Sequence, residues 1–121
     1  MYCMKKLIYI LSGLFVFAIG ASDAHAFTER KTATLRIMNK AAGKTQTVTA
    51  PIDTPIEFEK ISILVRSCRQ SDPFAAENFY AFTEIRKSDG DLIYSNWMNR
   101  NNPGVNPVQN ADYDVWVVKC E

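Results

Sequence analysis

Short runs of alternating apolar and polar residues fill most of the chain, and few of them have helical spacing. In Thr32 to Asn39, Leu35 and Ile37 share one parity, and Ala42-Gly43 then turns the chain into Lys44 to Thr49. This reads as an early hairpin. Pro51 and Pro55 confine the stretch between them to an edge or a connection. Glu59 to Cys68 is the clearest strand, with β-branched Ile61, Ile63 and Val65 at period two. Gln70 to Ala76 reads as a turn with room for one helical turn.

Phe79 to Arg86 and Leu92 to Met98 form a second hairpin across Lys87 to Asp91, where Gly90 can take a positive φ. Both arms carry apolar residues on each parity, as does the last run from Tyr113, in which Val115 and Val117 oppose Trp116 and Val118. Apolar residues on both faces predict central strands. There is no useful helical stripe, internal repeat, linker or second domain. The expected fold is one all-β domain, a small antiparallel barrel or sandwich of about six or seven strands.

The N-terminus changes the domain boundaries. Met1 to Ala26 has a basic start, an apolar run from Leu7 to Gly20 and the small-x-small pattern Ala24-His25-Ala26, the layout of a secretory signal peptide. The apolar run falls short of the roughly 17–25 residues of a membrane span. Cleavage after Ala26 would leave residues 27–121 as the mature domain, not membrane-spanning, in the periplasm. It would also remove His25, the only histidine, and Cys3, which precedes the apolar run instead of marking a lipidation point.

Lys5 and Lys6 belong to the fourteen basic residues of the chain and Asp23 to the thirteen acidic ones, so the remainder is balanced. Balance argues against nucleic acid or anionic lipid as main partner. The remaining cysteines, Cys68 and Cys120, are most simply a disulfide in an oxidising compartment. A bridge closing so long a loop is worth about 4 kcal/mol in the loop-entropy model. Free or intermolecular thiols and a redox pair are the alternatives, although the C-x-x-C spacing of the last is absent.

Candidate chemistry is sparse. Without histidine there is no histidine-based triad or histidine ligand, and Ser-Lys or carboxylate chemistry is the remaining enzymatic route. No cofactor or metal motif is present. Asp112 and Asp114 bracket Tyr113 and would share one side of a strand, either as a solvated strand start or as a dyad.

The segment Asn99 to Ala111 is longer than typical connections and rich in asparagine, which suits both a binding loop and a structured Ω-loop. The candidate binding residues are Trp97, Met98, Asn99, Arg100, Asn101 and Asn102, with Tyr113 and Trp116 close if their strands pair. Aromatic and Arg side chains dominate hot spots, so a peptide or glycan would suit them. The competing reading puts Trp97 and Trp116 in the core.

Cys68, Ala81-Phe-Thr-Glu-Ile85, Trp97-Met98 and Tyr113-Asp-Val-Trp-Val-Val-Lys-Cys120 occur in an order that resembles the domain-of-unknown-function 2155 family, small exported proteins mostly of alphaproteobacteria. The resemblance runs from about Leu35 to Cys120, with a specific tail of the form Tyr-Asp-Val-Trp-Val-x-x-Cys. Before that tail this chain departs: Asn99 to Asn106 replaces apolar and small residues, and Ala111-Asp112 replaces Pro-Val. The resemblance implies an envelope location and cysteine pairing and supplies no activity.

The expected function is a non-catalytic periplasmic module that binds an envelope protein or cell-wall glycan through the loop after Trp97. The alternative is a structural subunit of an envelope assembly, paired along an edge strand such as Thr32 to Asn39.

Overall fold

A computed structural model describes residues 27–121, so the expected signal peptide with Cys3 and His25 lies outside the described residues. Eight strands follow one another: β1 (Phe27–Arg30), β2 (Thr32–Asn39), β3 (Lys44–Pro51), β4 (Ile56–Phe58), β5 (Ile61–Ser71), β6 (Phe79–Lys87), β7 (Leu92–Asn99) and β8 (Tyr113–Cys120). They form two antiparallel sheets: five strands in the order β1-β5-β6-β7, with β4 also on β5, and three in the order β3-β2-β8. Of the two expected architectures, the molecule is the sandwich.

The strands beyond the expected count are the short ones, β1 and β4. Both lie on the same edge of β5: β4 pairs with Ile61 to Ile63 and β1 with Cys68 to Ser71. Between them Asp53 N–H donates to the Val65 carbonyl at 2.8 Å, so this edge of β5 is occupied along its length. The turn joining β4 to β5 is Glu59-Lys60, and Glu59 takes a φ of 50°. Glycine or asparagine usually marks such a position. Glutamate does not, which is why the sequence pattern runs the strand on from Glu59.

Gly43 and Gly90 have φ of 65° and 96° in the β2–β3 and β6–β7 turns, where the pattern places them. Gln70 to Ala76 holds no helix: Asp72 caps a turn, accepting from Phe74 N–H at 2.8 Å, and β5 runs through to Ser71.

Leu35, Ile37, Ile61, Ile63, Val65, Ile85 and Val117 are buried between the sheets. Two β-bulges set which residues join them. Val65 pairs with Thr83 and Ser67 with Phe82, leaving Arg66 without a partner on β6; on β8, Val117 pairs with Leu35 and Lys119 with Thr34, leaving out Val118. One extra residue reverses the parity of all that follow. Cys68 and Cys120 therefore turn inward, are buried, and form a disulfide between the sheets with Cα atoms 5.6 Å apart.

Two expectations are corrected here. Thr32 to Asn39 is no edge: β2 is the middle strand of its sheet, paired to β3 and β8 over its length. Conversely β7 and β8, expected to be central from their two-sided apolar pattern, are edge strands. Their second face is covered by neighbouring aromatic side chains and by the connection between them, not by another strand.

Candidate functional site

The connection from β7 to β8 spans the side of the sandwich on which those two edges lie, and its asparagines hold its shape. Asn99 Oδ1 accepts the N–H groups of Asn101 at 3.1 Å and Asn102 at 3.2 Å, and the Asn78 side-chain amide at 2.7 Å. The Arg100 guanidinium stacks 4.8 Å from the Phe79 ring centroid and donates to the Glu77 carboxylate and carbonyl, each at 3.0 Å. Asn101 Nδ2 donates to the same carbonyl at 2.7 Å. Arg100 and Asn101 thus fasten the loop to the segment before β6.

Further on, Asn106 adopts a φ of 53°, its carbonyl accepts from the Tyr94 hydroxyl at 2.6 Å, and its amide donates to the Trp97 carbonyl at 3.3 Å. Val108 is buried in the core. Asn110 Oδ1 accepts from Asp112 and Tyr113 N–H at 2.9 and 3.1 Å, which starts β8. Every one of these amides serves the structured-loop reading.

Held this way, the loop leaves a groove of about 270 Å³ against the two edges, lined by Met98, Asn99, Pro103, Val105, Asn106, Pro107, Asp114, Val115 and Trp116. Its walls are mostly apolar; Val105 is 43% exposed, and Asp114 is the single charged residue lining it. Of the candidate residues, Met98, Asn99 and Trp116 meet here. Met98 contributes from within the core, being buried, and the half-buried Trp116 from the strand edge. Asn102 supports the loop by accepting from Val105 N–H at 3.0 Å.

Trp97 and Trp116 do not share a surface. Trp97 pairs in register with Phe82 and faces out of the five-stranded sheet, whereas Trp116 pairs with Arg36 and faces out of the three-stranded one. Both are half-buried and neither belongs to the core. Around Trp97 lies an aromatic row: Trp97 meets Phe82 edge-on at 5.4 Å, Arg69 sits 4.9 Å above Trp97, and Phe27 meets Tyr80 at 5.3 Å.

Tyr113 also parts from the others. Its ring is buried at the far end of the sandwich, and its hydroxyl donates to Glu59 Oε2 at 3.0 Å. Burial, followed by that hydrogen bond, raises its pKa above 10.0. Asp112 lines a cleft beside Tyr113 while Asp114 lines the groove, so the two carboxylates serve different hollows. Among the described residues no three His, Cys, Asp or Glu side chains converge as a metal site, and no helix is long and apolar enough to cross a membrane.

The groove residues that sequence reasoning missed are Pro103, Val105, Asn106, Pro107, Asp114 and Val115. Their signal was the loop's two prolines, which stiffen a wall.

The molecule is a small two-sheet β-sandwich closed by an inter-sheet disulfide. It belongs to a family of uncharacterized proteins conserved in bacteria, DUF2155, whose model matches residues 33–120. No curated protein and no solved structure matches it.

Proposed function

We propose that the protein is a non-catalytic binding module of the bacterial periplasm that engages an envelope protein through the groove after Trp97. The observation that carries this reading is the groove itself. A stiff, largely apolar hollow with two prolines, an exposed valine and a strand-edge tryptophan matches the anchor pockets of protein partners. The N-terminal sequence and the cysteine pair support export.

A photoreactive residue at Val105, compared with one at Thr47 on β3, tests the reading in cells. The expected result is capture of one envelope protein from Val105 alone, abolished by Trp116→Ala. Equal capture at both positions, or none at Val105, would overturn it. Intact mass of the protein from fractionated cells checks export, with loss of Met1 to Ala26 and of two hydrogens expected.

The structural-subunit alternative rests on β3. Among the described residues this strand has no second neighbour, and only Val48 and Ala50 are withdrawn from full exposure, which suits pairing with a neighbour's strand. That reading expects capture from Thr47 and not from Val105.

A further inference from the structure

A second hollow, of about 650 Å³, opens at the end of the sandwich where the β2–β3, β4–β5 and β6–β7 turns meet the start of β8. Its volume lies within the roughly 300–1,000 Å³ of small-molecule sites. Ile61 and Tyr113 form an apolar floor, and the rim carries both signs: Glu59, Asp89 and Asp112 against Lys60 and Lys87.

The central group is Glu59. It occupies the left-handed position of a two-residue turn, with φ of 50°, where a side chain is strained and glycine would be favoured. Its carboxylate is nevertheless fixed: Oε2 accepts from Asn39 Nδ2 at 2.7 Å and from the Tyr113 hydroxyl at 3.0 Å. Oε1 accepts no hydrogen bond among the described residues, which leaves one oriented oxygen for a ligand. The facing wall is closed by Ser88, whose N–H and hydroxyl donate to the Lys60 carbonyl at 2.9 and 3.2 Å. Lys87 is held only loosely, 3.8 and 3.9 Å from Asp89 and Asp91.

We infer that this cleft binds a small zwitterion, a free amino acid or short peptide, with its ammonium on Glu59 and its carboxylate between Lys60 and Lys87. A fixed carboxylate in a cleft that Lys60 and Lys87 also line complements a ligand that carries both charges, and holding Glu59 in place lowers the ordering cost on binding. The inference is independent of the groove.

The test is an amide-resolved NMR titration of ¹⁵N-labelled protein expressed from the full chain, using alanine, trialanine and N-acetyl-trialanine as probes. The expected result is movement of the Glu59, Lys60, Ser88 and Tyr113 signals with trialanine, and at least tenfold weaker binding after N-acetylation or in Glu59→Gln. Glutamine keeps an oxygen for Asn39 and Tyr113. Should Glu59→Gln lose its dispersed spectrum, Lys87→Gln tests the carboxylate arm on an exposed side chain, again with tenfold weakening expected. Alanine binding as tightly as trialanine would support the site and identify the ligand as a free amino acid; tighter trialanine would identify a peptide. Silent spectra, or equal affinity for the acetylated peptide, would overturn the proposal.

Discussion

Cys68 and Cys120 meet because each follows a β-bulge, Arg66 in β5 and Val118 in β8. By plain alternation from Ile61 or from Tyr113, both thiols would face solvent on opposite sides of the sandwich. Deleting Arg66 removes the bulge and leaves Ser67 opposite Phe82 and Cys68 opposite Ala81, so Cys68 keeps its inward face. The expected outcome is a retained Cys68–Cys120 bridge, with both residues protected from alkylation and the peptide map showing them linked; two alkylated cysteines there would mean that the bulge itself, not the parity it sets, holds the pair.

The bridge closes a separation of 52 residues, which corresponds to about 4 kcal/mol. Cys68→Ser with Cys120→Ser is expected to lower the unfolding free energy by about that much. Urea titration checks it, with the midpoint falling; an unchanged midpoint would mean that the sheets hold together by packing alone.

Thr83 is fully buried, and its hydroxyl has no hydrogen-bond partner among the described residues. Desolving a hydroxyl without compensation is unfavourable. Thr83→Val, nearly the same shape, is therefore expected to leave stability unchanged or raise it by up to about 1 kcal/mol. Thermal unfolding measures this.

Asn78 is buried and serves three partners: its amide donates to Asn99, and its carbonyl oxygen accepts from the N–H groups of Phe79 and Asn101. Asn78→Ala leaves those groups unpaired, at a cost of about 1–3 kcal/mol. Hydrogen exchange should rise through residues 99 to 102 more than in β2, because the loop's anchorage goes first.

Tyr113 and Tyr94 both have pKa values raised above 10.0, Tyr94 through burial and Tyr113 through burial and then its bond to Glu59. Folding therefore holds the phenolic protons more tightly than the unfolded chain does. Their contribution is complete below pH 10 and is lost as pH rises through the folded-state values. Stability should fall on the alkaline side of pH 10. In a spectrophotometric titration, Glu59→Gln should bring one tyrosine back toward its ordinary range, since the carboxylate that opposes ionisation is gone.

The hairpins β2–β3 and β6–β7 were readable because glycine marks their turns and alternation marks their arms. The Glu59-Lys60 turn was not, since neither residue announces a positive φ. The bulges were invisible for a related reason: period-two reading assumes one residue per step, and Arg66 and Val118 break that count without any composition signal. The loop after Trp97 was legible as long and polar, but the same amides suit ligand contact and self-contact. Only the geometry shows Asn99, Arg100 and Asn101 bonding to the chain itself, with the adjacent prolines and Val105 forming the hollow.

The position of β2 between β3 and β8 governs when this chain can become a domain. β2 opens the polypeptide's main pattern and β8 ends it, and Glu121 exchanges backbone hydrogen bonds with Thr32. No N-terminal portion can complete the smaller sheet, and Cys68 has no partner until Cys120 arrives. Assembly of the smaller sheet therefore waits for β8, and such distant pairings close slowly. A polypeptide built this way has no finished core until β8 is made.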